Sequence, residues 1–395
     1  MRILYLTNDF PYPLTSGYLR HYFLIKELSQ RHTITLLSIV GQTFETSNIR
    51  AMSPFTEQVF TFQSAKKSRS LHRKAISQVR QLTGGDGAVR QMGEAIQQLV
   101  LKQRFDVVLC SGKQTYPAIR RLGGLPVVVD MCDATSVRLR GGMRYVSLPK
   151  RLLQLPGYWH VRRVERALIR DAAHLLFASC RDREALIGSS GNHATVVPNG
   201  VDLEYWKRTS GERGKNAIIF TGAMNYGPNT DAVIYLIEEI LPLVKRSVPD
   251  AELIVVGRDP TAKLLSLGSR PGVTITGFVD DVRPYLERAT VFAAPLRFGA
   301  GIQNKLLEAM AMEIPVIASP LAADGLRTEE GDCPPAQIAQ GRDEFVQLIV
   351  QQLTKRAIDA APDSAGRRFV ERHFVWKHSA EKMTEIFGKV TTGTR

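Results

Sequence analysis

Short runs rich in Val, Ile and Leu alternate with stretches of helical periodicity along the chain, and the alternation comes as two separate series. The first holds RILYLT (2–7), a helix over 18–31, TITLLSIV (33–40), DVVLCS (106–111), LPVVVDM (125–131) and HLLFAS (174–179). The second holds NAIIFTG (216–222), a helix over 229–247, AELIVVG (251–257), GVTITG (272–277), TVFAAP (290–295), a helix over 304–312 and IPVIAS (314–319). Runs this apolar have no polar face to turn to water, so each must be covered on both sides. Helices between the runs supply that cover, and the result is a parallel sheet. Two series predict an α/β chain of two doubly wound, Rossmann-like domains, and 395 residues fit two or three domains. The pattern breaks over 198–215, where Pro198, Gly200 and a polar stretch mark the predicted hinge. VWKHSAEKMTEIFGKV (375–390) reads as a last helix.

No apolar run approaches the roughly 18 residues that a membrane span needs. The start, MRILYLTNDFPYPL, meets Asn8 and Asp9 after a short apolar stretch and offers no small-residue cleavage site, so it reads as a first strand and not as a signal peptide. Cys110, Cys132, Cys180 and Cys333 show neither a CxxC nor a zinc-like spacing, which suits reduced, buried thiols in a cytoplasmic protein. The net charge of +14 is clustered: residues 64–104 hold nine Lys and Arg against Asp86 and Glu94, and residues 138–170 hold nine more against Glu165. Such patches attract phosphate-bearing partners, or else form a solvated basic face. Nucleic acid ranks low because no basic–aromatic interleaving or known module is present. Within the second patch, GGMRYVSLPKRLLQLPG (141–157) is amphipathic, basic and bracketed by Gly and Pro.

Ligands of open α/β sheets bind beyond the carboxyl ends of strands. Three such ends stand out. After the first strand, NDFPYPLTSGYLRH is stiffened by two prolines and sets Gly17 before a helix, where backbone N–H groups can approach an anion; a plain loop is the alternative. Neither a GxGxxG fingerprint nor a Walker A loop is present. The second end is DMCDATSVRLR (130–140). Asp133 there is placed to act as a base or to stabilise charge, although Asp133, Thr135 and Ser136 are also capping residues. The third is LRFGAGIQN (296–304), leading into a helix with free N–H groups expected at Gly301 and Ile302 and with Arg297 and Lys305 as flanking cations. That is a phosphate cradle in outline. Glu308 follows Gly301 by seven residues, about 10 Å along one side of the helix. This is the span from a nucleotide's phosphates to its ribose, whose two hydroxyls one carboxylate can accept. The alternative is an ion pair with Lys305 or an arginine.

At this point the residues resemble a known family. PLRFGAGIQNKLLEAMAMEIPVIAS (295–319) is similar to the nucleotide-sugar signature of GT-B glycosyltransferases, specifically the retaining glycosyltransferase family 4, or group 1. VVPNGVDLEYW (196–206) resembles its interdomain segment. The stretches 220–257, 275–296 and 8–37 resemble further parts in register. The form GIQNKLLEAMAM is closest in flavour to sugar transferases of bacterial surface-polysaccharide clusters. The resemblance implies a GT-B fold with two domains facing a central cleft. Residues 1–203 would be the acceptor side, with 375–390 packing back on it, and 204–374 would bind the nucleotide sugar.

By position, the resemblance gives Glu308 to the ribose, Gly301 and Ile302 to the diphosphate, Phe278 and Val279 to the base, Gly17 to the donor phosphate across the cleft, and Asp133 to the transferred sugar. Two departures stand out. Ala300 occupies the first position of the family's frequent pair of glutamates, and FTGAMNYGPNTDAV lacks the family's Arg and Lys, for which Lys305, Arg258 and Arg297 are the substitutes, with Gly299 in the same loop. The implied activity is a hexosyltransferase that moves a sugar, from a UDP-sugar by preference, to a hydroxyl of a glycan or lipid-linked acceptor in surface polysaccharide or glycoconjugate synthesis. It would act with retention and with no metal or cofactor, Asp133 and Lys305 serving the reaction. The basic patches would rest on an anionic membrane, peripheral on its cytoplasmic face. A non-catalytic GT-B scaffold and a nucleotide-sugar epimerase are the rival expectations.

Overall fold

The computed structural model describes residues 1–14, 19–64, 87–120, 122–188, 193–209, 216–299, 301–355 and 364–393. Its first sheet is built from β1 (Arg2–Thr7), β2 (Thr33–Val40), β3 (Gln58–Gln63), β4 (Val107–Ser111), β5 (Val127–Cys132), β6 (His174–Phe177) and β7 (Ala194–Val196). All pairs are parallel, in the order β3-β2-β1-β4-β5-β6-β7, with Ile3 opposite both Ile34 and Val107. The second sheet uses β8 (Ala217–Thr221), β9 (Glu252–Val256), β10 (Val273–Ile275), β11 (Val291–Ala294), β12 (Val316–Ala318) and β13 (Gln337–Ile338), ordered β10-β9-β8-β11-β12-β13 and again parallel. In each sheet the order reverses beside the lobe's first strand, which opens a crevice at the carboxyl ends of β1 and β4 and of β8 and β11.

The apolar runs form these strands because both faces are covered. Ile3 and Tyr5 point into one core and Leu4 and Leu6 into another, all fully buried. Three strands escaped the sequence reading. β3 is an edge strand with exposed ends, and β7 and β13 are too short to show a period. The amphipathic stretch 141–157 is divided: its first residues close the helix Thr135–Gly142 and the turn after it, and from Leu148 on it belongs to a single helix Leu148–Asp171 that passes through Pro156.

The chain crosses between lobes twice, and the two crossings lie side by side. Val201 N–H donates to Phe374 O at 2.8 Å, and Ser379 Oγ donates to Pro198 O at 2.7 Å. A Cβ on Gly200 would stand 2.2 Å from the backbone nitrogen of Trp376, so only glycine allows this approach. The last helix, Trp376–Thr392, then lies on the helix Leu19–Leu28 of the first lobe. Its Trp376 stacks on Phe23 with ring centroids 5.2 Å apart, and Met383, Ile386 and Phe387 complete the core there.

Candidate active site

The C-terminal side of the site begins with a shelf of two glycines. β8 and β9 are followed directly by Gly222 and Gly257, which approach each other so closely that a Cβ on Gly257 would stand 1.7 Å from Gly222 O. Neither position has room for a side chain, and the space beside Gly222 is taken by Asn229 and Lys305. The helix Asn304–Ala311 follows β11 and its loop. Leu306, Leu307, Ala309, Met310 and Ala311 are buried in the lobe's core, and this leaves Asn304, Lys305 and Glu308 to the open side. The helix starts at Asn304, so Gly301 and Ile302 lie in the preceding loop and not on a shared helical face with Glu308, as the sequence spacing had suggested.

Lys305 reaches back over the shelf. Its Nζ donates to Asn229 Oδ1 and sits 4.5 Å from the centroid of the Phe220 ring. Burial lowers its pKa to about 7, against the pull of Glu308. The Glu308 carboxylate has no hydrogen bond and no ion pair among the described residues; burial raises its pKa to about 7, and Lys305 opposes that only through space. It also lies within electrostatic reach of Tyr205, whose ring holds the Arg283 guanidinium 4.0 Å from its centroid. The ion pair that was the alternative for Glu308 is therefore not formed.

On the N-terminal side, Asp133 sits just past β5. Cys132 has φ 55°, and a bulge separates Asp130 from Cys132, so the chain turns sharply and aims Asp133 across the cleft. A Cβ on Gly301 would be 3.5 Å from Asp133 Cβ, so these two residues face each other between the lobes. Burial pushes the Asp133 pKa up, but Lys113 at 3.5 Å and Arg138 at 3.2 Å together hold it below the usual carboxylate range. Thr135 Oγ1 adds a hydrogen bond of 2.6 Å. Asp133 is thus an ionised side chain and not a helix cap, since the helix Thr135–Gly142 has no side-chain cap bond.

Two sets of contacts tie the lobes together around this point. Arg20 and Asp130 form a buried ion pair at 2.8 Å; Arg20 Nη1 donates to Asn199 Oδ1, and Asn199 Nδ2 donates to Asn304 Oδ1, each at 2.8 Å. Arg20 and Asp130 are 5% and 0% exposed, so this chain of bonds runs through the interior from the first sheet to the start of the donor-side helix. In the second set, the N–H of Gly301 donates to Asp182 at 2.7 Å, and Arg181 Nη2 donates to Gly301 O at 3.2 Å. The Gly301 N–H expected to be free is therefore engaged by a carboxylate of the other lobe.

The remaining candidates are dispersed. Phe278 is 58% exposed, at the start of a loop whose Val279 packs on the core. Arg297 is paired with Asp231 and lies over Tyr235. Arg258 is exposed, and Gly299 has φ 150° in the loop before the helix. Gly17 and Ala300 lie outside the described residues. Cys333 is exposed, unlike the buried thiols expected.

Lys113, Arg20, Asn199, Tyr226 and Asp182 escaped the sequence reading. The one signal for Asp182 was Ser179 three residues before it, a capping pattern that the structure forms. A cavity of about 1480 Å³ runs along the first lobe to Tyr226, Gly301, Ile302 and Asn304 on the second.

Residues 215–355 match the family described as "Glycosyl transferases group 1". The phosphatidyl-myo-inositol mannosyltransferase of Mycobacterium leprae is 26% identical over 59% of this chain and 61% of the relative. The Mycobacterium tuberculosis GDP-mannose-dependent alpha-(1-6)-phosphatidylinositol monomannoside mannosyltransferase is 30% identical over 37% of this chain and 41% of its own. The chain spans about half to three fifths of the length of the first curated relatives it matches. Among solved structures, the Anabaena protein HepE, in complex with UDP-glucose, aligns with a TM-score of 0.67 and 15% identity over 98% of this chain and 100% of HepE. Residues 215–355 of the C-terminal lobe thus match the group 1 glycosyl transferase family, and the chain as a whole takes the GT-B fold.

Proposed function

We propose that the protein is a retaining hexosyltransferase that moves a sugar from a nucleoside-diphosphate sugar to a hydroxyl of a lipid-linked or glycan acceptor, working on the cytoplasmic face of an anionic membrane. The observation that carries this is Glu308: a carboxylate with no hydrogen bond or ion pair among the described residues, on a helix whose other face is apolar core, beside the close approach of Gly222 and Gly257. Ribose hydroxyls supply the hydrogen bonds that Glu308 lacks. Lys305, three residues earlier, supplies charge for the diphosphate. Phe278 and Val279 take the base.

In the reaction, the bond from the anomeric carbon to the diphosphate oxygen breaks and the diphosphate leaves with the electron pair. The acceptor oxygen bonds to the same face of the sugar, and its proton passes to the departing phosphate. Asp133, kept ionised by Lys113 and Arg138, stabilises the positive sugar or orients the acceptor. No step requires a metal.

Membrane contact is assigned to the helix Leu148–Asp171, where Leu148, Leu152 and Leu153 are 73%, 65% and 82% exposed beside Lys150 and Arg151. Of the basic stretch 64–104, residues 65–86 lie outside the described residues. No described helix is long and apolar enough to cross a membrane.

The test is a melting-temperature screen with UDP-, GDP- and ADP-sugars, with and without Glu308→Ala. A UDP-sugar is the expectation from the sequence, while GDP-mannose is the donor named for one relative. A shift with one nucleotide sugar that vanishes in Glu308→Ala supports the assignment; an equal shift in the variant removes it. Turnover of the donor with a lipid-linked acceptor, absent in a scaffold, completes the test.

A further inference from the structure

We propose that the N-terminal wall of the cleft is a phosphate-binding site, and that the acceptor is itself phosphorylated next to the group that receives the sugar. This rests on the transferase reading above. Eight of the residues that line the cavity are Arg or Lys, and Asp133 is the one acidic residue among them. The charges are ordered. Trp159, Arg163, Arg166 and Arg170 follow one another at steps of four, three and four, so they share one face of the helix Leu148–Asp171, and all four line the cavity. Like charges at this spacing repel, and an isolated helix gains nothing from them.

Of these eight Arg and Lys residues, Arg20, Lys113, Arg138 and Arg170 are in ion pairs. Arg162, Arg163 and Arg166 have none among the described residues, and Arg120 lies within electrostatic reach of Asp171 without pairing with it. Three arginines without a carboxylate, at a concave surface, are a binding surface for a compact polyanion, because a low-dielectric wall focuses their field and each guanidinium can hold two phosphate oxygens. The opposite side of the same cavity is Tyr226, Gly301, Ile302 and Asn304, and Asn304 starts the helix that carries Lys305 and Glu308. A phosphate seated on the arginines therefore holds its own molecule with the rest of it directed at Asp133 and Gly301.

The site is separate from Glu308, which does not line this cavity, so the two can be tested apart. The experiment is calorimetric titration of the full chain, with the donor site saturated by the nucleoside diphosphate that the screen above selects. The ligands are farnesyl diphosphate, farnesol and inorganic pyrophosphate. Farnesyl diphosphate is expected to bind, farnesol not, and the double variant Arg163→Gln/Arg166→Gln is expected to weaken that binding at least tenfold while nucleoside diphosphate affinity stays unchanged. Arg90→Gln, an exposed arginine of another helix, is the control and is expected to leave both affinities alone. Pyrophosphate binding as tightly as farnesyl diphosphate supports a soluble phosphorylated acceptor; tighter farnesyl diphosphate supports a lipid-linked one. Farnesol binding equally well, or no loss in the double variant, overturns the site. Failure of the nucleoside diphosphate to bind at all overturns the transferase reading instead.

Discussion

Asp182 Oδ2, on the helix Cys180–Ile187 of the first lobe, accepts a 2.7 Å hydrogen bond from the backbone N–H of Gly301 in the second. Burial raises the Asp182 pKa and the nearby Asp133 adds to this, against Arg181 and the Ser179 hydroxyl. The carboxylate stands where the sequence expected a diphosphate, and two anions cannot share one donor. Asp182→Asn keeps an acceptor oxygen without the charge. The expected result is a several-fold gain in affinity for a nucleotide sugar near neutral pH. The wild type should gain affinity as pH falls toward the raised pKa, and the variant should lose that dependence. Calorimetry from pH 5 to 8 checks this, because a sugar diphosphate is a diester with no proton to gain in that range. Weaker binding by the variant means that Asp182 holds the loop in place for the donor.

Glu308 and Lys305 make a pH signature whose sign can be worked out. Between about 4.5 and about 7 the folded protein keeps a proton on Glu308 that the unfolded chain has lost, so stability falls as pH rises through that window. Between about 7 and about 10.5 the folded protein lacks a proton that the unfolded chain holds on Lys305, so stability rises again. Glu308→Gln is expected to remove the first limb and to melt no lower than the wild type at pH 7, while nucleotide affinity falls tenfold or more. Melting curves across pH together with titration of the nucleotide check the opposite signs. A lower melting temperature at pH 7 means that the carboxylate serves the fold.

The two-lobed architecture was legible because each buried strand writes Val and Ile on both faces, and no local choice contradicts that pattern. Glu308 was legible for a related reason, as the one acid in an apolar helix. Asp182, Arg20 and Asn199 were not. Their meaning lies in partners 119, 110 and 105 positions away in the chain, and a polar residue near a strand end looks the same whether it caps a helix or bridges two lobes. Gly301 was read as a free donor because spacing shows which backbone groups a helix start leaves over, and not which side chain from another lobe takes them. The arginines at 163 and 166 were seen as a patch, but only the packed helix turns them toward a cavity.

Gly222 is placed to report on Lys305. It has φ 146°, and a Cβ there would stand 2.6 Å from Asn229 Nδ2 and 3.3 Å from Lys305 Nζ. Gly222→Ala is expected to push both side chains off the shelf, with a cost of about 1–3 kcal/mol in stability from crowding. Nucleotide-sugar affinity should fall more than the loss of stability explains. Urea unfolding and ligand titration on the same preparation separate the two. Unchanged affinity shows that the shelf and its lysine are not on the donor's path.

The buried pair of Arg20 and Asp130 allows a test of whether the lobes are coupled through the interior. Asp130→Ala leaves the Arg20 guanidinium buried and unpaired, with an expected cost of about 3–5 kcal/mol. The double variant Arg20→Met/Asp130→Leu removes both charges, and apolar pairs of similar volume commonly restore most of that loss. It cannot restore the next bond. Arg20 Nη1 holds Asn199 Oδ1, and this fixes the amide so that Nδ2 points at Asn304 Oδ1 on the donor-side helix. The double variant is therefore expected to unfold in urea close to the wild type and yet turn over donor at least tenfold more slowly, with Asn199→Ala showing the same loss in a stable protein. Wild-type turnover in both variants would mean that the pair serves only the first lobe's core and that closure of the cleft depends on the contacts of Arg181 and Asp182 with the Gly301 loop.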